Sequence, residues 1–190
     1  KAGERGPRPS PLGGPVGRGS LPSLPMTSFD FAARLDRARR VLAAGGIDVL
    51  LASVGADLAY LTGYRAMPLE RLTMLVVPAD AAATLVVPAL EAPRVESHPE
   101  AFAIRPWQET EDPVAVVAAL CGKARSVAVG DATWSVFTLA LQQRMPKARF
   151  SPASPVTRTW RMRKDPAEAH LLRRAAGAAD RVVARLADEA

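Results

Sequence analysis

The chain has 190 residues, 48% of them apolar, and a formal net charge of +6, which suffices for one hydrophobic core. Lys1, Arg5, Arg8 and Arg18 against Glu4 put +3 of that charge on the first 25 residues, so the remainder is mildly basic and composition argues against a nucleic-acid binder. A single cysteine excludes an intrachain disulfide and a thiolate metal site, and no apolar run reaches the roughly 18 residues of a membrane span.

Residues 1–25 hold six prolines and six glycines and lack the apolar centre of a signal peptide. They are expected to be a disordered tail. Met26-Thr-Ser-Phe reads as a natural start, which leaves the native status of 1–25 open, and a cytoplasmic protein is the expectation. Ser28 or Asp30 then caps a helix with Phe31, Leu35, Ala38 and Leu42 on one face, ended by Gly45-Gly46. A central strand is predicted at 47–52. A short helix follows, with Tyr60 and Leu61 turned inward and Gly63 as its stop. Residues 65–70 are a loop. Strands at 72–77 and 84–87 are joined by a hairpin connection and should be antiparallel. Pro88 and Pro93 bracket a helical piece, and Ser97-His98-Pro99 forms a turn in which His98 is expected to be solvated.

A strand at 102–105 is expected to close at Pro106-Trp107. Glu111 or Asp112 opens a helix with Pro113 near its start, Val116, Val117 and Leu120 inward, and Cys121 as a small buried side chain. A strand at 126–129 leads through Gly130-Asp131 into a helix carrying Val136, Leu139, Leu141 and Met145. An edge strand is predicted at 147–150, then a short amphipathic turn ending at Met162. In the basic run Arg158, Arg161, Arg163 and Lys164, Trp160 and Met162 interleave, which reads as a packed linker with its charges in water. Asp165, Pro166 and Glu168 have the spacing of a capping box. Leu171, Leu172, Ala175, Ala179, Val182, Val183 and Leu186 follow as one helical stripe. No stop signal comes after it, so this helix is expected to lead into a region beyond Ala190. Strands separated by helices, with one hairpin, predict a three-layer α/β sandwich around a mixed sheet.

Chemistry is hard to find. No Gly-x-Gly-x-x-Gly follows the first strand, and neither a Walker A loop nor a Gly-x-Ser-x-Gly elbow occurs. His170 has Arg174 where a second metal ligand would stand, and the acidic residues are scattered through helix starts and turns. No catalytic residue, cofactor-binding residue or metal ligand is assigned.

Two stretches carry a resemblance. Asp57, Tyr60, Leu61, Thr62, Gly63 and Tyr64 match the first motif of the amino-terminal domain of the creatinase/prolidase family. These are the pita-bread metallopeptidases that include Xaa-Pro dipeptidases and aminopeptidase P. Arg161, Arg163, Lys164, Asp165, Glu168, Leu171, Leu172, Arg173 and Ala175 match the second, about 100 residues later. The resemblance covers 26–190, with the domain at 26–164 and a linker helix at 165–190. It implies a ribonuclease-H-like mixed-sheet fold and a non-catalytic role: roofing the cleft of a proline-specific exopeptidase and supporting a homodimer. It further implies a missing carboxy-terminal domain in which two Asp, one His and two Glu hold two Mn, Co or Zn ions, with no metal in this chain. Proline-containing peptides are the implied substrates of the whole enzyme. Tyr64, Arg65 and Arg71, in the loop after the Thr-Gly turn, are the implied cleft contacts; Arg65 or Arg71 is suited to a substrate carboxylate, and a plain surface arginine stays open for both. Packing motifs of this kind do not separate a dipeptidase from an aminopeptidase P, a creatinase, or a non-enzymatic binding or dimerisation module.

Overall fold

The computed structural model describes residues 29–188. The expected disorder of 1–25 and the choice of Ser28 as a cap lie outside them. Asp30 opens the first helix, its Oδ1 accepting the backbone N–H of Ala33 at 2.8 Å and so satisfying a donor that has no partner within the helix. This helix, α1 (Phe31–Ala44), buries the expected face of Phe31, Leu35, Ala38 and Leu42, and with it Arg34.

Six strands make one sheet: β1 (Val49–Ser53), β2 (Met74–Pro78), β3 (Ala83–Pro88), β4 (Phe102–Trp107), β5 (Ser126–Val129) and β6 (Arg149–Pro152), in the order β4-β3-β2-β1-β5-β6. β2 is antiparallel to β1 and β3, as the hairpin predicts, whereas β3–β4, β1–β5 and β5–β6 are parallel. The sheet is mixed, and β2 alone is reversed. Its central strands are apolar on both faces because both are covered. Leu50, Ala52, Leu75, Val77, Leu85 and Ala128 point to one core, and Val49, Leu51, Met74, Val76, Val86 and Val127 to the other. Over the first core lie α1, α2 (Ala56–Thr62) and α5 (Ser154–Arg161); over the second lie α3 (Pro113–Cys121) and α4 (Ser135–Arg144). The three-layer expectation is met.

Several local expectations are corrected. β4 runs through Pro106 to Trp107 because the indole Nε1 donates to the carbonyl of Leu72 at 2.9 Å, fastening the strand end to the root of the 64–73 loop. β6 begins two residues late, pairing Ser126 with Arg149 and Val129 with Pro152. In α3 the inward residues are Val114, Val117 and Cys121, while Leu120 is exposed. In α4 Leu141 is buried, with Met145 just beyond it, whereas Val136 and Leu139 stand 59% and 57% exposed. α3 is apolar all round, and in α4 the apolar residues Val136, Phe137, Leu139, Ala140 and Leu141 are spread around the helix rather than gathered in a stripe, so periodicity does not choose which side faces the sheet. The stretch around Trp160 is helical rather than alternating: Trp160 is buried and Met162 is 74% exposed. His98 is not a solvated loop residue. Its ring centroid lies 4.7 Å from that of Phe31 and 6.1 Å from that of Phe102, and its Nε2 is buried without a hydrogen-bond partner.

The last helix, α6 (Pro166–Asp188), starts as its sequence requires. The Glu168 N–H donates to Asp165 Oδ1 at 2.8 Å and the Asp165 N–H donates to Glu168 Oε2 at 3.1 Å, a reciprocal capping box. Its apolar stripe is left uncovered by the described residues, with Leu172, Val182, Val183 and Leu186 all exposed.

Candidate functional site

The residues of the first motif build a rigid turn. Thr62 Oγ1 donates to the Leu58 carbonyl at 2.7 Å and accepts the N–H of Tyr64 at 3.1 Å. Gly63 between them has φ 74°, and a Cβ there would lie 2.7 Å from Phe31 Cζ. Left-handed backbone and an aromatic ring against the α-carbon together admit only glycine. The turn sends Tyr64 into the core, where its hydroxyl donates to Glu91 Oε2 at 3.1 Å. Burial, reinforced by the Glu91 bond, pushes the Tyr64 phenol up to about 12.

Beside this turn is a hollow of about 430 Å³ lined by Gly63, Tyr64, Arg65, Met67, Arg94 and Glu96. Arg65 is exposed at its wall. Of the three residues singled out in the sequence, the structure brings Tyr64 and Arg65 together and leaves Arg71 out. Arg71 pairs instead with Glu109 across 3.2 Å, so that it ties the end of the loop to the segment after β4. Arg94 and Glu96 were not singled out in the sequence. Arg94 ends, and Glu96 follows, a short 3-10 turn at Ala92–Arg94 that carries no chemical motif, so only the fold places them here. The hollow thus offers two guanidinium groups and one carboxylate around an apolar methionine, a set suited to binding a small anionic group by charge-assisted hydrogen bonds. It contains no pair of groups arranged for proton transfer.

The two motifs, far apart in sequence, meet in space. Arg161 Nη1 donates to Asp57 Oδ1 at 2.9 Å. More deeply, Arg34 projects from α1 between the Phe29 and Tyr60 rings, its guanidinium carbon 4.4 and 4.1 Å from their centroids. Its Nη1 donates to the Tyr60 carbonyl at 2.8 Å, and its Nη2 donates to Asp165 Oδ2 at 2.5 Å with Glu168 Oε2 3.5 Å away. A buried cation therefore grips the capping box of α6. Partial burial pushes the Asp165 carboxyl up, but the Arg34 hydrogen bond, the backbone N–H groups of Glu168 and Ala167 and the Arg34 charge outweigh it and hold Asp165 below the usual carboxylate range. Arg34 sits on the buried face with Phe31, Leu35 and Ala38, at helical spacing. That position was a readable sign of a special role, and the sequence reading passed over it.

Other chemistry is absent among the described residues. No group of three His, Cys, Asp or Glu side chains converges in a way that could hold a metal ion. The residues present do not fit a dinuclear metal centre. Burial pushes the Cys121 thiol up to about 11, far from a nucleophile's range. No helix among the described residues is long and apolar enough to cross a membrane.

Comparison with known proteins gives a consistent set of matches. The family model described as the creatinase/prolidase N-terminal domain matches residues 34–163. The probable dipeptidase PepE of Mycobacterium tuberculosis is 36% identical over 160 residues, covering 82% of this chain and 42% of the relative. Among solved structures, dipeptidase PepE from Mycobacterium ulcerans superposes with a TM-score of 0.74 at 35% identity, covering 83% of this chain and 44% of that one. A proline dipeptidase structure from Streptococcus pneumoniae superposes at 0.61 and 27% identity, covering 69% of this chain and 98% of that much shorter one. The chain thus spans less than half the length of the curated relatives it matches.

Proposed function

The chain belongs to the creatinase/prolidase N-terminal domain family, and from that premise we propose that it is the non-catalytic amino-terminal part of a metal-dependent Xaa-Pro exopeptidase of the dipeptidase type. The observation that carries this reading is the 36% identity to a probable dipeptidase over 42% of that protein's length, in a chain whose described residues assemble no metal site. In this reading two divalent ions, Mn, Co or Zn, are held by the part of the enzyme that follows α6, where they activate the attacking water. This chain takes no part in that step. Residues 29–164 form the roof of the cleft, α6 is the linker into the catalytic part, the enzyme is a homodimer, and it works in the cytoplasm.

Within the roof, Arg65 is the residue assigned to the substrate. It is exposed at the hollow and not engaged by a carboxylate among the described residues, whereas Arg71 is engaged with Glu109. A planar guanidinium there suits the carboxylate of a short peptide, which would limit substrate length. Tyr64 shapes the wall and is held by Glu91.

The test has two parts. Coding sequence continuing beyond Ala190 should supply two Asp, one His and two Glu in that order, and the whole product should hydrolyse an X-Pro dipeptide with Mn²⁺ while residues 1–190 alone do not. In that whole enzyme Arg65→Ala should raise KM at least about tenfold with kcat little changed, the signature of lost uniform binding. Hydrolysis by residues 1–190 alone, or a continuation without those ligands, would overturn the enzyme reading. An unchanged KM would remove Arg65 from it.

A further inference from the structure

We propose that the crevice beyond the carboxyl ends of β1 and β5 binds a small zwitterion, a free α-amino acid. β1 and β5 are parallel neighbours, and the chain leaves them towards opposite faces of the sheet. β1 runs into α2, over the first core, and β5 runs into α4, over the second. Neighbouring strands whose connections part in this way leave a gap between them, and in open α/β sheets that gap is where ligands sit. α5, which follows β6, supplies a third wall. The gap measures about 300 Å³, enough for a small molecule. Gly55, Ala56, Gly130 and Ala132 in its walls carry little or no side chain to fill it. It lies at the opposite end of α2 from Gly63 and is therefore separate from the hollow at Arg65.

An unpaired hydroxyl points to a ligand. Thr157 of α5 lines the gap and is only 2% exposed, yet its Oγ1 has no hydrogen-bond partner among the described residues. Thr62 and Thr159, also in helices, each donate back to a carbonyl of the preceding turn. A valine would fill the same volume without burying an unpaired polar group. Charge gives the ligand's class. Arg158 and Arg161 stand in the walls against Asp57 and Asp131, so the charges cancel in sum. Arg161 is bonded to Asp57, whereas Arg158 is exposed and bonded to no carboxylate among the described residues. The Ser154 side-chain hydrogen bond, with the N–H groups of Ser154 and Ala153 and the charge of Arg158, outweighs burial and holds Asp131 below the usual carboxylate range. A free guanidinium and an ionised carboxylate in one small gap suit a molecule that carries both signs. Its carboxylate goes to Arg158 and the Thr157 hydroxyl, and its ammonium to Asp131. A plain anion would meet Asp131, and a plain cation would meet Arg158.

Titration of L-alanine into isotope-labelled residues 1–190, followed by amide chemical shifts, tests the proposal. Saturating shifts are expected at Gly55, Gly130, Asp131 and Thr157 and not at Arg65, with a dissociation constant below about 1 mM. Propionate, which is alanine without the ammonium, and ethylamine, which is alanine without the carboxylate, should each bind at least about tenfold more weakly. Arg158→Ala should weaken alanine binding at least about tenfold. Thr157→Val should weaken it at least about threefold with a melting temperature unchanged or raised, because an unpaired hydroxyl is removed. Should either variant fold poorly, the shift map of the wild-type chain decides. Absence of saturation up to about 10 mM alanine overturns the proposal. So do shifts gathered around Arg65 instead of the gap, or propionate binding as tightly as alanine.

Discussion

The two helical layers are held to the same sheet by different means. On one side α1, α2, α5 and the start of α6 are joined by directed polar contacts: Arg34 to Asp165 and to the Tyr60 carbonyl, and Arg161 to Asp57. On the other, α3 and α4 pack through Val114, Val117, Cys121 and Leu141 with few side-chain hydrogen bonds between them. Directed contacts fix which way a helix faces. Apolar contact fixes only that something must be covered, and leaves surplus apolar surface available to a neighbour.

Breaking each layer at its centre sharpens that contrast. Arg34→Ala should have the largest effect, about 3–5 kcal/mol by urea unfolding. It removes a buried guanidinium packed between two rings and leaves the Asp165–Glu168 pair without its cation. Hydrogen exchange should show the first turn of α6 loosening first. A loss under about 1 kcal/mol would mean that the seam is held by packing alone. In the other layer Leu141→Ala should cost about 3 kcal/mol as a core truncation, whereas Leu139→Ala, two residues away, should change chain stability by less than about 0.5 kcal/mol at concentrations where it is monomeric. Equal costs would show that α4 faces the sheet differently from the structure described.

The smallest effect is a titration. The folded Tyr64 phenol is raised to about 12 against an unfolded value near 10. The folded state therefore keeps its proton while the unfolded state loses it. The stabilising contribution is complete below pH 10 and falls away as pH rises from about 10 to 12. Tyr64→Phe should flatten that alkaline loss, and the ultraviolet phenolate signal should then report only Tyr60, the other tyrosine of the chain. An alkaline limb unaltered in the variant would place the loss elsewhere.

The same contrast explains what could be read in advance. The face of α1, the hairpin, the αL glycine at 63 and the capping box at Asp165 were legible because each rests on a short-range rule with a specific residue at a specific offset. The inward faces of α3 and α4 were not: Val116 and Leu139 are as apolar as Val117 and Leu141, and only the sheet beneath chooses between them. The candidate site was half legible. Tyr64 and Arg65 follow from the Thr-Gly turn, but Arg94 and Glu96 reach the hollow through a 3-10 turn with no local signature. Arg71 looked equivalent to Arg65 until Glu109 was found beside it. His98 was misjudged because a Ser-His-Pro turn says nothing of the two phenylalanines that enclose its ring.

The Arg34–Asp165 bond has a temporal side. Its partners are 131 residues apart, so on a growing chain the guanidinium emerges long before the carboxylate exists. Until then the pocket between Phe29 and Tyr60 must either stay ajar or hold a cation with no counter-ion. The bond that closes the first layer therefore cannot form until residue 165 has been made, when every strand and both helices of the second layer are already in the chain.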